Sequence, residues 1–334
     1  MRSFQKIYTL VFSLCLIAFS VYALLDTFAI RRVYAVVEQT QAAETTQERN
    51  ARPELKTLSG KHAGMQTRKG KKSSGETEGN SSLTSEMKAG GAETGADTAG
   101  ESSGDVQISI TEYREYDSTI YVADITVNGP ESLKTAFSQN SYGRNITADT
   151  SETAAAVGAV LAVNGDNYGS REKGYVIRNG VLYRDTPAKD QEDLVIYDDG
   201  SFAIVNESEV SAQELLDQGA VQVFSFGPGL LEDGTVLVDE NDEVDRAKAS
   251  NPRTAIGILE ENHYVLVVSD GRTDESEGLT LYELATFLQS LGVQTAYNLD
   301  GGGSSTMVYQ GTVINETTSG RDNGERAVTD ILYF

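Results

Sequence analysis

The string Asn298-Leu299-Asp300-Gly301-Gly302-Gly303-Ser304-Ser305-Thr306 has the residue types of an anion site. Three consecutive glycines are entropically costly to order, so a purpose beyond a plain turn is expected. The functional reading is a backbone nest whose N–H groups at Gly301, Gly302 and Gly303 face an anion, with Ser304 and Ser305 completing the cradle and Asp300 beside it. Three other strings carry similar chemistry at the ends of apolar runs. Asn251-Pro252-Arg253-Thr254 leads into Ala255-Ile256-Gly257-Ile258, and Val265-Leu266-Val267-Val268 runs out into Ser269-Asp270-Gly271-Arg272. Ala159-Val160-Leu161-Ala162-Val163 opens into Asn164-Gly165-Asp166-Asn167-Tyr168-Gly169. A buried strand ending in a polar, glycine-bearing loop is where sites are commonly built, although each string alone is equally a turn.

Elimination narrows the chemistry. The single cysteine, Cys15, lies in the N-terminal apolar run, which leaves no disulfide and no cysteine nucleophile for the domain. The two histidines are His62 and His263, so a zinc site of histidines and cysteines is impossible. A Ser-His-Asp triad would need His263, which reads as an ordinary strand residue. No phosphate-binding P-loop string occurs. Carboxylates, arginines, amides and hydroxyls remain.

Charge divides the chain unevenly. Of 27 Lys/Arg and 50 Asp/Glu, residues 1–104 hold 13 and 11, leaving 14 and 39 for residues 105–334, a net of 14 − 39 = −25. Such a surface repels polyanions, and no nucleic-acid partner is expected.

The elements that must position these strings are strands above all. Alternation in Val106-Gln107-Ile108-Ser109-Ile110 and across residues 119–127 predicts half-buried strands. Asn179-Gly180 and Asp199-Gly200 predict two-residue hairpins, and Val265-Leu266-Val267-Val268 a strand buried on both faces. Helices are predicted at residues 151–157 and after two capping boxes, Ser211-Ala212-Gln213-Glu214 and Thr280-Leu281-Tyr282-Glu283. The expected fold class is α+β, a mixed β-sheet domain with hairpins and a few helices, spanning 105–334.

Residues 7–25 carry no charge, and as a helix these 19 residues span roughly 28 Å. With Arg2 and Lys6 ahead of them they read as a transmembrane signal anchor over 7–30, the alternative being a signal peptide cleaved after Ala23 or Ala35. Residues 1–6 would be cytoplasmic. Residues 31–104, rich in Gly, Ser, Thr, Glu and Lys, would form a disordered linker, its Arg68-Lys69-Gly70-Lys71-Lys72 run solvated. The expected location is the cell membrane, single-pass, with the domain extracytoplasmic in a Gram-positive-type bacterium.

Asn164-Gly165-Asp166, Asn251-Pro252-Arg253-Thr254-Ala255, Ser269-Asp270-Gly271-Arg272, Asn298 to Ser305 and Glu325-Arg326 occur in the order seen in the phosphodiester glycosidase family, which this chain resembles over roughly 120–334. Many members read Asn-Gly-Gly-Phe-Phe where this chain reads Asn-Gly-Asp-Asn-Tyr. The resemblance implies hydrolysis of a sugar-1-phosphodiester, such as an α-N-acetylglucosamine-1-phosphodiester, in a cell-envelope or exogenous glycan. It implies phosphate binding by Arg253, Arg272 and Arg326, with Asn164, Thr254 and Asn298 among the substrate-binding residues. Asp300, Asp270 and Asp166 are the catalytic candidates for base, nucleophile or oxocarbenium stabiliser. No cofactor is required by this reading. Two rivals stand beside it: a metal-dependent phosphodiesterase with Mg²⁺ or Ca²⁺ on the three aspartates, and a non-catalytic glycan-binding module.

Overall fold

The computed structural model describes residues 2–37, 102–103, 105–242, 250–319 and 324–334. Most of the expected linker, with its basic run, lies outside the described residues.

Strands dominate. An eight-stranded sheet runs in the order Thr235–Val236, Gly229–Glu232, Thr295–Asn298, Arg253–Glu260, His263–Ser269, Ser118–Val127, Val106–Glu115, Ser102–Ser103. A second sheet has the order Thr312–Val313, Met307–Tyr309, Leu161–Asn164, Asp330–Tyr333, Lys134–Phe137. A third runs Phe202–Asn206, Glu192–Tyr197, Ala220–Phe224, Val176–Arg178, Val181–Arg184. Every strand pairing among the described residues is antiparallel. The sheet-rich α+β expectation holds, and its hairpins fall at Asn179-Gly180 and Asp199-Gly200.

Alternation within the eight-stranded sheet explains its two buried faces. Val265 and Val267 face the helix Leu281–Ser290 through its Leu281, Leu284 and Leu288, while Tyr264, Leu266 and Val268 face the larger core with Leu161, Leu194 and Phe224. Side chains of this size each contribute roughly 1.5–3 kcal/mol when fully buried. The helix begins at a complete capping box between Thr280 and Glu283 and stops before Gly292 at φ +84°.

This layering sets the site. Arg253 pairs with Ser269 and Ala255 with Asn298, so the polar strings at three neighbouring strand ends meet at one edge. Asn164, the last residue of Leu161–Asn164, pairs with Ile331.

The N-terminal expectation is corrected. A helix forms over Arg2–Phe28, but among the described residues no helix is long and apolar enough to cross a membrane. Among the described side chains of this helix the uncharged stretch runs from Leu10 to Leu25 and ends at Asp26, short of the about 20 predominantly apolar residues that a span needs. The single-pass anchor, the membrane partnership and the cell-membrane location drawn from it are therefore not supported. Beyond the helix, inside the expected linker, Arg32–Val36 pairs antiparallel with Ser141–Arg144, and Tyr34 lies 5.9 Å from the Tyr142 ring.

Candidate active site

The glycine string closes tightly on the strand end at Pro252. Gly302 N–H donates to the Pro252 carbonyl at 2.8 Å, Asp300 N–H to the Gly165 carbonyl at 3.2 Å and Leu299 N–H to the Thr254 carbonyl at 2.9 Å. Asn164, fully buried, ties these pieces together. Its Nδ2 donates to the Asp300 carbonyl at 2.6 Å, while its Oδ1 accepts from Thr254 Oγ1 at 2.8 Å and from Thr306 N–H at 3.3 Å. Asn164 and Thr254 thus spend these groups on holding the Asp300 loop.

The glycines allow close approach, most strictly at Gly301, which faces backbone, and at Gly302, whose φ is positive. A Cβ on Gly302, whose φ is +62°, would stand 2.9 Å from Arg272 Nη2. One on Gly303 would stand 2.6 Å from Arg326 Nη2, and one on Gly301 2.9 Å from the Pro252 carbonyl. Two guanidinium groups therefore pack directly on the glycine backbone. The nest expectation changes accordingly: Gly302 N–H is taken by Pro252 and Gly301 N–H by Asp300 Oδ1 at 3.0 Å, so these two amides are spent inside the loop.

Arg272 is aimed by Asn251, whose Oδ1 accepts from Nε at 3.1 Å and Nη2 at 2.7 Å. Both Arg272 and Arg326 are exposed, and no ion pair among the described residues involves either. Partial burial and, after it, the neighbouring Arg326 push the Arg272 pKa down from its ordinary value. Asp300 sits beside them, 9% exposed. Burial pushes its carboxyl above the usual range, opposed by Ser304, Arg326, the Gly301 N–H and Arg171. The Ser304 hydroxyl lies near this carboxylate without hydrogen-bond geometry. Arg253 is buried, with its Nε donating to the Leu279 carbonyl at 2.8 Å.

The other two aspartates are occupied elsewhere. Asp166 lies 2.9 Å from Arg178, and its Oδ2 accepts from Ser225 N–H at 2.8 Å. Arg178 also contacts Asp330 at 2.8 Å and lies 4.3 Å from the Phe224 ring centroid. Burial pulls the Arg178 pKa down, but the two carboxylates more than reverse this, and it ends above its ordinary value. Asp270 accepts from Glu316 N–H at 2.8 Å and faces Tyr121 and Asn315; burial pushes it up to about 6. Asn298 donates from Nδ2 to the Gly227 carbonyl at 2.7 Å, and Ser305 is buried with its Oγ unpartnered. His263 meets Asp124 at 2.9 Å on its strand.

Among the described residues no group of three His, Cys, Asp or Glu side chains is placed to hold a metal. Sequence reasoning missed Arg171, Arg178 and Asp330. A charged residue ending the apolar Tyr175-Val176-Ile177 run, and another opening the C-terminal strand, were the available signals for the last two.

Two guanidinium groups packed on glycine backbone, without an ion pair among the described residues, stand beside a buried carboxyl on an antiparallel α+β scaffold. The phosphodiester glycosidase family matches residues 157–334, more than half of the chain. The chain belongs to the phosphodiester glycosidase family. It is 34% identical over 179 residues to the uncharacterised SPbeta prophage-derived protein YomE of Bacillus subtilis, covering 52% of this chain and 27% of that protein. It is 31% identical over 183 residues to mouse N-acetylglucosamine-1-phosphodiester alpha-N-acetylglucosaminidase, covering 50% and 35%. The chain thus spans about a quarter to a third of the length of these relatives. The zebrafish N-acetylglucosamine-1-phosphodiester alpha-N-acetylglucosaminidase catalytic domain, auto-inhibited by its pro-peptide, superposes with a TM-score of 0.54 at 23% identity, covering 73% of this chain and 86% of that one. A hypothetical protein from Synechocystis gives 0.53 at 15% identity, with 69% and 62% covered. These two likenesses show the fold.

Proposed function

We propose that residues 105–334 hydrolyse a sugar-1-phosphodiester, breaking the bond between the anomeric carbon and the phosphate oxygen. The observation that carries this reading is the pair Arg272 and Arg326, packed on the Gly302-Gly303 backbone beside Asp300 with no ion pair among the described residues. Guanidinium groups hold phosphate oxygens in bidentate fashion, and the charge they carry stabilises a departing phosphate monoester. Such a leaving group needs little help from an acid. The remaining demand is on the sugar side. Asp300 takes the proton of the water that attacks the anomeric carbon; the carbon–oxygen bond breaks, and the products are a free sugar and a phosphate monoester. Asp166 and Asp270, held by Arg178 and by the Glu316 amide, fit structural roles better than this one. Their separate engagements also disfavour a metal held by all three aspartates.

The substrate to test first is an α-N-acetylglucosamine-1-phosphodiester, the class printed in the vertebrate relatives' names. Hydrolysis in ¹⁸O-labelled water is expected to place the label in the sugar. Label in the phosphate overturns the glycosidase reading in favour of a phosphodiesterase. Asp300→Asn is expected to lower kcat by about 10²–10⁴, the usual range for a positioned acid–base group. Sugar phosphodiester binding without turnover, unchanged in that variant, would instead support the glycan-binding module.

A further inference from the structure

A groove of about 790 Å³ lies against the site, a volume in the range of small-molecule pockets. Two segments of its wall border the strings that carry the site. Residues 226–229 accept both the Asn298 N–H, at the Pro228 carbonyl, and the Asn298 side-chain amide, at the Gly227 carbonyl. Arg171, which follows the Asp166 loop, donates from Nη1 to the Ser225 carbonyl at 3.0 Å and lies 4.8 Å from the Phe226 ring centroid. Its charge also acts on Asp300, so groove and carboxyl are electrostatic neighbours. Asn298, 1% exposed behind this wall segment, leaves its Oδ1 unpartnered.

The groove's lining differs in sign from the site. Asp190, Glu192, Glu209, Glu232 and Asp242 line it, and among the described residues Arg171 is the one cation in its lining. Ile204, Phe226, Pro228 and Leu237 give it an apolar floor. A concave surface of this kind focuses negative potential and concentrates cations. The neighbouring Arg272 and Arg326 do the reverse.

We infer that the groove is the leaving-group subsite of this enzyme and takes an alcohol bearing a positively charged amine, so that the preferred phosphodiester is zwitterionic. This rests on the hydrolase reading above. The phosphate lies on the two arginines, the sugar at Asp300, and the amine among the groove carboxylates with its methylene or methyl groups on the apolar floor. A leaving group carrying further negative charge meets repulsion there. Arg171 then marks the boundary between the two fields, fixed by Phe226 and the Ser225 carbonyl.

Three substrates sharing one sugar and one phosphodiester test this, with choline, glycerol or glycolate as the leaving alcohol, assayed on the full chain. The choline ester is expected to exceed the glycolate ester in kcat/KM by roughly tenfold, the yield of two or three partly exposed ion pairs. Combining Glu209→Gln with Glu232→Gln is expected to bring that ratio close to one. Equal kcat/KM for all three esters, or a preference that survives in the double variant, overturns the subsite and leaves the hydrolase reading standing. If none of the esters turns over, the hydrolase reading fails, and calorimetric titration of choline at low salt tests the groove by itself. Binding weakened by the double variant supports it, and no binding overturns it.

Discussion

Arg178 and Arg272 carry the same group in opposite surroundings. Arg178 is 2% exposed, shared between Asp166 and Asp330, and capped by the Phe224 ring. Arg272 is exposed, aimed by the neutral Asn251 amide and crowded by a second guanidinium. The first has its counter-charges inside the protein and is finished when the chain folds. The second has none among the described residues, and on the proposed reading an external anion completes it. The contrast separates a charge that builds the scaffold from a charge that waits for a ligand, and it is open to experiment from both ends.

The largest expected effect is on stability. Arg178→Ala strands two buried carboxylates, one of them Asp330, which burial already pushes above its ordinary range. Breaking a buried pair in this way costs about 3–5 kcal/mol, read as a fall in the urea midpoint with the slope unchanged. A loss below about 1 kcal/mol would mean that the contrast is mistaken and that Arg178 contributes little. Arg178→Met combined with Asp166→Asn and Asp330→Asn is expected to recover much of the loss, because no unpaired charge stays behind.

Arg272→Ala is expected to do the opposite. It should lower kcat/KM by about 10²–10³, the scale for one lost oxyanion donor, and leave the urea midpoint close to wild type. Relief of the crowding with Arg326 could even raise the midpoint slightly. Parallel losses of activity and stability would place Arg272 in the same structural class as Arg178.

These two arginines also show what the amino-acid sequence reveals and what it withholds. The hairpins at Asn179-Gly180 and Asp199-Gly200, and the helix after Thr280, are written in residues a few positions apart, and they formed where those residues stand. Asp300 and Arg272 were legible as candidates because their strings end neighbouring strands, whereas Arg326 came only from the family resemblance. The reason for the glycines was not legible: two of their amides are spent internally, and what they provide is room for guanidinium groups. The pairing of Asp166 with Arg178 and Asp330 depends on strand register across more than 150 positions, from Arg178 to Asp330. Local pattern fixes which residues are buried and says nothing of which charges they meet. Arg178 supplies the counter-charge that burial of the Asp166 carboxylate demands.

Asp270 gives the smallest and most specific difference. It was grouped with Asp300 as a catalytic candidate, yet its carboxyl faces Tyr121, Asn315 and the Glu316 amide. Burial raises it from 3.8 to about 6, so between those values the folded chain holds a proton that the unfolded chain has released. Stability from this group is full below about pH 4 and declines as the pH rises through 6. Asp270→Asn removes that decline, so the difference in urea midpoint between variant and wild type should shift in the variant's favour from pH 4 to pH 7. Its kcat at pH 7 should fall far less than that of Asp300→Asn. A loss of kcat as large as that of Asp300→Asn, with an unchanged stability profile, would move Asp270 from the scaffold side of the comparison to the reacting side.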